Sequence, residues 1–196
     1  MPFPSVVGAI VYPACEISSP GVIQHLSGNR FSLGEPSGEK TNRVSILSQI
    51  LKDAGLKAPI SARIRDELWI KLWGNVAFNP ISALTGATLK QICENEETRS
   101  LSKNIMIEAK FIGEKLGVKF PVSIDKRIAG AAGVGDHKTS MLQDLELGRS
   151  MEIDAIVSSV QELGKIVNIS TPHIDCVLAL VKQRAYLAGC FDYFNQ

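Results

Sequence analysis

Hydrophobic and polar positions change rhythm along this chain. Val6-Val7-Gly8-Ala9-Ile10-Val11-Tyr12 is a short apolar run, rich in β-branched residues and bounded by prolines, which predicts a buried strand. Ser19-Pro20-Gly21 marks a turn. Residues 22–26 and 30–33 predict two further strands, joined as a hairpin through Ser27-Gly28-Asn29. After Gly38 the period becomes helical: Val44, Leu47, Ile50 and Leu51 share one face, and Gly55 closes that helix. Ala58-Pro59-Ile60 is extended.

The rest is almost entirely helical. Residues 63–78 carry an apolar stripe with two tryptophans, and 98–116 form a long amphipathic segment ended by Gly117. Residues 122–132 run up to Gly133 and Gly135, 140–147 stop at Gly148, and 151–167 form another long segment. Thr171-Pro172 opens the last helix with a capping hydroxyl and a proline in the first turn. Strands followed by a run of helices predict an α+β chain, mainly α, in two domains at 1–61 and 62–196.

Composition narrows the function classes. The 196 residues are 45% apolar and 21% charged, as in a globular chain, with a formal net charge of +1. Five basic and four acidic residues fall in the first 60 positions and sixteen of each in the remainder. That even balance excludes a basic nucleic-acid footprint and a polybasic membrane anchor. No apolar run reaches the roughly 18–20 residues that span a bilayer. The apolar start has no basic segment before it, so it reads as a strand and not as a signal peptide. Cys15, Cys93, Cys176 and Cys190 are scattered without a CxxC pair. They predict no metal site and read as small apolar residues in a reducing cytoplasm.

Two stretches offer chemistry. In Trp69-Ile-Lys71-Leu-Trp-Gly-Asn75-Val-Ala-Phe-Asn79-Pro80 a lysine and two asparagines recur every four residues, on one helical face. They read either as a snorkelling lysine and two amides on a surface stripe, or as the lining of a polar cleft. Asparagine is a poor interior helix residue, and two on one face tilt the balance toward a cleft. There, partial burial among the tryptophans would lower the lysine toward the range a general acid needs. The second stretch is His137-Lys-Thr-Ser140-Met-Leu-Gln-Asp144 followed by Glu152-Ile-Asp154. Ser140 falls at a helix N-terminus, where free amides favour an anion, and Glu152 in the first turn after Ser150. Ordinary capping and dipole compensation account for both equally well. No GxGxxG follows a strand, and the glycines from Gly130 to Gly135 read as a helix terminator.

Together these segments resemble the ketopantoate reductase (2-dehydropantoate 2-reductase) family. The Lys71–Asn75–Asn79 segment looks like the start of that family's C-terminal domain. His137-Lys-Thr-Ser140, Glu152-Ile-Asp154 and Thr171-Pro172 recur there in the same order, and Pro20-Gly21-Val22 and Leu33-Gly34-Glu35 resemble the last strands of its nucleotide-binding domain. The resemblance implies a Rossmann-type remnant followed by an all-helical domain of the 6-phosphogluconate dehydrogenase C-terminal type. It implies NADPH as cofactor, a small 2-keto acid as substrate, and a homodimer. It makes Lys71 the general acid, places Asn75, Asn79 and Ser140 on the substrate, and sets Glu152 near the nicotinamide ribose. Some reductases carry a further substrate-binding asparagine where this chain has Thr88-Leu89-Lys90, which leaves the identity of the keto acid open. The family's glycine-rich turn is not in this sequence. Two functions follow: the substrate half of a reductase, or a helical dimerisation or small-acid binding module without turnover.

Overall fold

The structure is a computed structural model that describes residues 6–192. The chain is α+β and mainly α, and it divides into two compact units, Met1–Leu68 and Trp69–Gln196.

The first unit holds four strands in two antiparallel pairs. β1 (Gly8–Val11) pairs with β4 (Phe31–Gly34), and β2 (Ala14–Ser19) pairs with β3 (Val22–Ser27). The expected hairpin between residues 22–26 and 30–33 is therefore corrected: β3 turns back on β2 through Pro20-Gly21, with Gly21 at φ 80°. Gly28 does not close a hairpin. Its φ of 76° carries the chain past the Tyr12 carbonyl, which a Cβ would approach to 2.9 Å, and Tyr12 N then donates to Arg30 O. The extended 57–60 segment runs parallel to β4, with Phe31 N on Lys57 O at 2.7 Å and Leu33 N on Pro59 O at 2.9 Å. β3 is exposed along its length, and Ile17 and Ile23 stand 72% and 71% exposed. The first five residues of the apolar start lie outside the described residues.

α1 (Asn42–Asp53) begins as its sequence asks. Thr41 accepts from Val44 N, Val44 is fully buried, and Gly55 at φ 84° ends the helix. The Thr41 hydroxyl donates to Glu35, whose buried carboxylate is also held by Arg43. The bonds from Arg43 and Thr41 hold Glu35 at a pKa of about 2, against the opposing effect of burial.

The second unit is built on α2 (Ile64–Thr85), which starts in the first unit and continues through Pro80. Pro80 removes the bond to Val76 and disfavours helix at Asn79, which is why the sequence suggests an end at 78. The helix continues because Ile81 and Ala83 remain core residues, and it finally stops where Ser82 Oγ donates to Ala87 O. α3 (Leu89–Glu94), not anticipated from the sequence, opens with a Thr88–Gln91 capping box. α4 (Glu96–Lys115) buries Ser102, Ile105, Met106, Ala109 and Ile112 at helical spacing against α2. Trp73 is fully buried, donates to Met106 O at 2.7 Å, and meets Phe120 edge-on at 4.8 Å.

α5 (Ile124–Ala132) and α6 (Ser140–Glu146) follow. The expected continuous helix over 151–167 starts at Ile153 and contains one wide π-helical turn at Asp154–Ser158 before α7 (Ser159–Ile166). α8 (Pro172–Leu187) has its proline in the first turn. Its expected cap is also corrected. The Thr171 hydroxyl turns to Asp175, and the backbone donors of His173 and Ile174 go to Glu108 of α4, each at 3.0 Å. No helix among the described residues is long and apolar enough to cross a membrane. All four cysteines are free; Cys93 and Cys190 are buried, whereas Cys15 and Cys176 are exposed.

Candidate active site

α2 sets out Lys71, Asn75 and Asn79 as a row that descends into the protein. Lys71 is exposed, Asn75 half-buried, and Asn79 only 6% exposed. Trp69 and Trp73 turn the opposite side of the helix into the core, where Trp69 Nε1 donates to Ala109 O at 3.3 Å. The expected partial burial of Lys71 among these tryptophans is not found, because residues two apart on a helix point to different sides. Neither asparagine amide makes a hydrogen bond with another described residue. No polar atom of Asn79 is sealed from solvent without a partner. Its amide atoms therefore retain contact with solvent, and neither its donor nor its acceptor is used by a described residue.

Ser140 and Glu152 stand at two other helix starts. Ser140 is the first residue of α6, and the cap is Thr139, which accepts from Leu142 N. The Ser140 hydroxyl is exposed and unused by the helix. Glu152 directly precedes the helical stretch that runs over 153–166, so it does not lie in the first turn after a Ser150 cap. Its carbonyl accepts from Ile156 N and its carboxylate is exposed. Asp144 binds Arg149 at 2.8 Å across the loop that connects the two. The neighbours Met141, Met151 and Ile153 share one core with Trp73 and Phe78, which ties both starts to α2. Lys71, Asn75 and Asn79 thus share a face by construction, whereas Ser140 and Glu152 stand on separate elements that share only the same core with α2.

Just beyond Glu152, the π-turn directs Asp154 to Lys182 at 2.8 Å and to the Ser158 hydroxyl at 2.5 Å. Burial pushes the Asp154 carboxyl up, but the bonds from Lys182 and Ser158 outweigh it and hold it below its ordinary value. Thr88, at the position where some reductases carry an asparagine, spends its hydroxyl on the α3 cap. His137 is exposed, and its carbonyl anchors that same cap by accepting from Leu89 N at 3.0 Å.

One neighbour of the row escaped the sequence reading. Arg127 of α5 lays its guanidinium over Gly74, where a Cβ would fall 2.9 Å from Cζ and closer still to Nη2. The available signal was the glycine itself, because glycine inside a helix costs about 1 kcal/mol relative to alanine and marks a close approach. An open cavity of about 530 Å³ lies elsewhere in this unit, lined by Cys93, Arg99, Lys103, Asp125, Ile128 and Ala132, and none of the five candidate residues lines it.

The fold and these segments define one family. Residues 63–185 match the family model described as ketopantoate reductase PanE/ApbA C terminal. The chain is 59% identical over 187 residues to the 2-dehydropantoate 2-reductase of Mesorhizobium japonicum, covering 95% of this chain and 57% of that protein. A crystal structure from Ralstonia solanacearum, assigned to the ketopantoate reductases, superposes with a TM-score of 0.93 at 39% identity over 97% of this chain and 58% of that one. The 2-dehydropantoate 2-reductase of Methylococcus capsulatus gives a TM-score of 0.88 at 29% identity, over 98% and 67%. The chain belongs to the ketopantoate reductase family. It spans somewhat more than half the length of the curated relatives it matches.

Proposed function

We propose that this chain is the substrate-binding and proton-donating part of an NADPH-dependent reductase of 2-dehydropantoate or a related small 2-keto acid. The observation that carries this reading is the row on α2. A nearly buried amide with no hydrogen-bond partner among the described residues, Asn79, lies two helical turns from an exposed ammonium, Lys71. An amide there, open to solvent and unused by the described residues, can exchange its water for a ligand's carboxylate or hydroxyl. Lys71 Nζ gives its proton to the carbonyl oxygen of the keto acid and stabilises the alkoxide charge as it develops. Asn75, Asn79 and the Ser140 hydroxyl orient the acid without neutralising the lysine.

The nucleotide is only partly provided for. Among the described residues no strand leads through a glycine-rich turn into a helix. The start of α1 is capped by Thr41 and faced by the Glu35 carboxylate, which would repel a phosphate. Glu152 takes the nicotinamide ribose in this reading, as the family resemblance implies. The reduced nicotinamide, when bound, supplies the hydride to the carbonyl carbon. A small-acid binding module without turnover is the second reading. Association as a homodimer belongs to the same proposal and is supported by apolar side chains exposed on α8, Leu180 at 54% and Leu187 at 72%.

The test is NADPH oxidation by this chain joined to a family nucleotide-binding domain. Turnover that requires 2-dehydropantoate or a close 2-keto acid is expected. NADPH oxidation by none of a panel of such acids would leave the binding module.

A further inference from the structure

We infer that the cavity framed by α3, α4 and α5 binds a small zwitterion with an apolar body, the chemical class of an apolar α-amino acid. Its volume of about 530 Å³ is in the range of small-molecule sites. The floor is apolar: Cys93 of α3 and Ile128 of α5 are 5% and 6% exposed, and half-buried Ala132 completes it. The Cys93 thiol donates to Ile128 O at 3.6 Å, which ties α3 to α5 at that floor. Lys103 of α4 and Asp125 of α5 also line the cavity and are joined at 2.8 Å, so their charges are spent on each other.

Two other charges on the lining have no such partner. Glu96 and Arg99 stand one helical turn apart on α4, yet neither side chain makes a hydrogen bond or ion pair with a described residue. The Ser100 hydroxyl beside them is likewise unused among the described residues. Arg99 is near enough to the floor to act on it: burial pushes the Cys93 thiol up, and the guanidinium opposes that rise while Glu94 adds to it. A simple anion in this cavity would meet Glu96, and a simple cation would meet Arg99. A zwitterion satisfies both. Its carboxylate goes to the Arg99 fork and the Ser100 hydroxyl, its ammonium to Glu96, and its side chain to the apolar floor. One helical turn separates the two charged residues by about 4.5 Å along α4, a gap their flexible side chains close onto neighbouring ammonium and carboxylate groups. None of Lys71, Asn75, Asn79, Ser140 and Glu152 lines the cavity, so this ligand is bound apart from the keto acid.

The test is an NMR titration of the 196-residue chain with L-leucine, following the Arg99 Nε–H signal and the Ala132 methyl group. Saturable movement of both is expected, with the Asn75 and Asn79 side-chain amides static. 4-Methylpentanoate lacks the ammonium and 3-methylbutylamine lacks the carboxylate; each should bind roughly three- to fivefold more weakly than leucine, the worth of one exposed ion pair. E96Q should abolish the preference for leucine over 4-methylpentanoate, and R99Q the preference over 3-methylbutylamine. Both side chains are exposed, so neither substitution should move the melting temperature. Leucine that moves no signal up to its solubility limit, or that moves Asn79 and leaves Arg99 static, overturns the site. Equal affinity of the parent for leucine and 4-methylpentanoate overturns the role of Glu96, and equal affinity for leucine and 3-methylbutylamine overturns that of Arg99.

Discussion

Replacing Glu108 with alanine should destabilise the helical unit by about 2–4 kcal/mol. Glu108 is 7% exposed and its carboxylate takes three partners at the start of α8. These are His173 N and Ile174 N, each at 3.0 Å, and His173 Nδ1 at 2.6 Å. Loss of a helix N-cap alone costs roughly 0.5–2 kcal/mol. Here the cost is larger, because Ile174 is 1% exposed and water cannot replace the lost acceptor; a buried donor left unsatisfied costs about 1–3 kcal/mol. The His173 ring adds little, since its side chain is 42% exposed and can turn to water. E108Q keeps one acceptor oxygen but turns an NH₂ toward a donor, so about half the loss is expected. H173A leaves both backbone bonds in place and should cost less than about 1 kcal/mol. Urea unfolding followed by circular dichroism measures all three, and amide exchange at Ile174 localises the effect. An E108A variant within about 0.5 kcal/mol of the parent, with an unchanged slope, would refute the reasoning.

Other consequences are as specific. Glu35 has a folded pKa of about 2, below its ordinary value of 4.5, so its stabilising contribution is complete above pH 4.5 and lost as pH falls from there through 2. E35Q should flatten that acid limb of the first unit's stability, and an unchanged limb would count against the Arg43–Glu35 pairing. In native protein a thiol reagent should titrate Cys15 and Cys176 quickly, with Cys93 and Cys190 reacting only on unfolding; burial also pushes the Cys93 thiol up. Four fast thiols would contradict the packing. N79A, in an enzyme that includes the nucleotide-binding half, should raise KM for the keto acid about tenfold without lowering the melting temperature, because its amide has no partner among the described residues to lose. A lower melting temperature with unchanged KM would make it structural.

Local signals carried far in this sequence. Thr41, Asn95, Ser123 and Thr139 each accept a backbone bond at a helix start, and Gly55, Gly117 and Gly148 adopt positive φ just past helix ends. Such caps involve neighbours, so the helix pattern reads directly from the chain. Pairings between distant residues do not. Gly28 has the composition of a hairpin turn, yet a contact with Tyr12, sixteen residues earlier, makes it a crossing between sheets. Glu108 caps a helix that begins some sixty-four residues later, and no local pattern marks it. The α2 row was visible because helical spacing alone aligns Lys71 with Asn75 and Asn79. Arg127 reaches that row only through the packing of α5 on Gly74.

Lys71 carries the proposed proton transfer. Its most direct test is the turnover of K71A against the parent in an enzyme comprising this chain and a family nucleotide-binding domain, with NADPH and the best 2-keto acid. A loss of roughly 10²–10⁴-fold in kcat, with NADPH affinity unchanged, is the predicted result for removing a general acid. Turnover within a few-fold of the parent would take the proton-donating role away from Lys71.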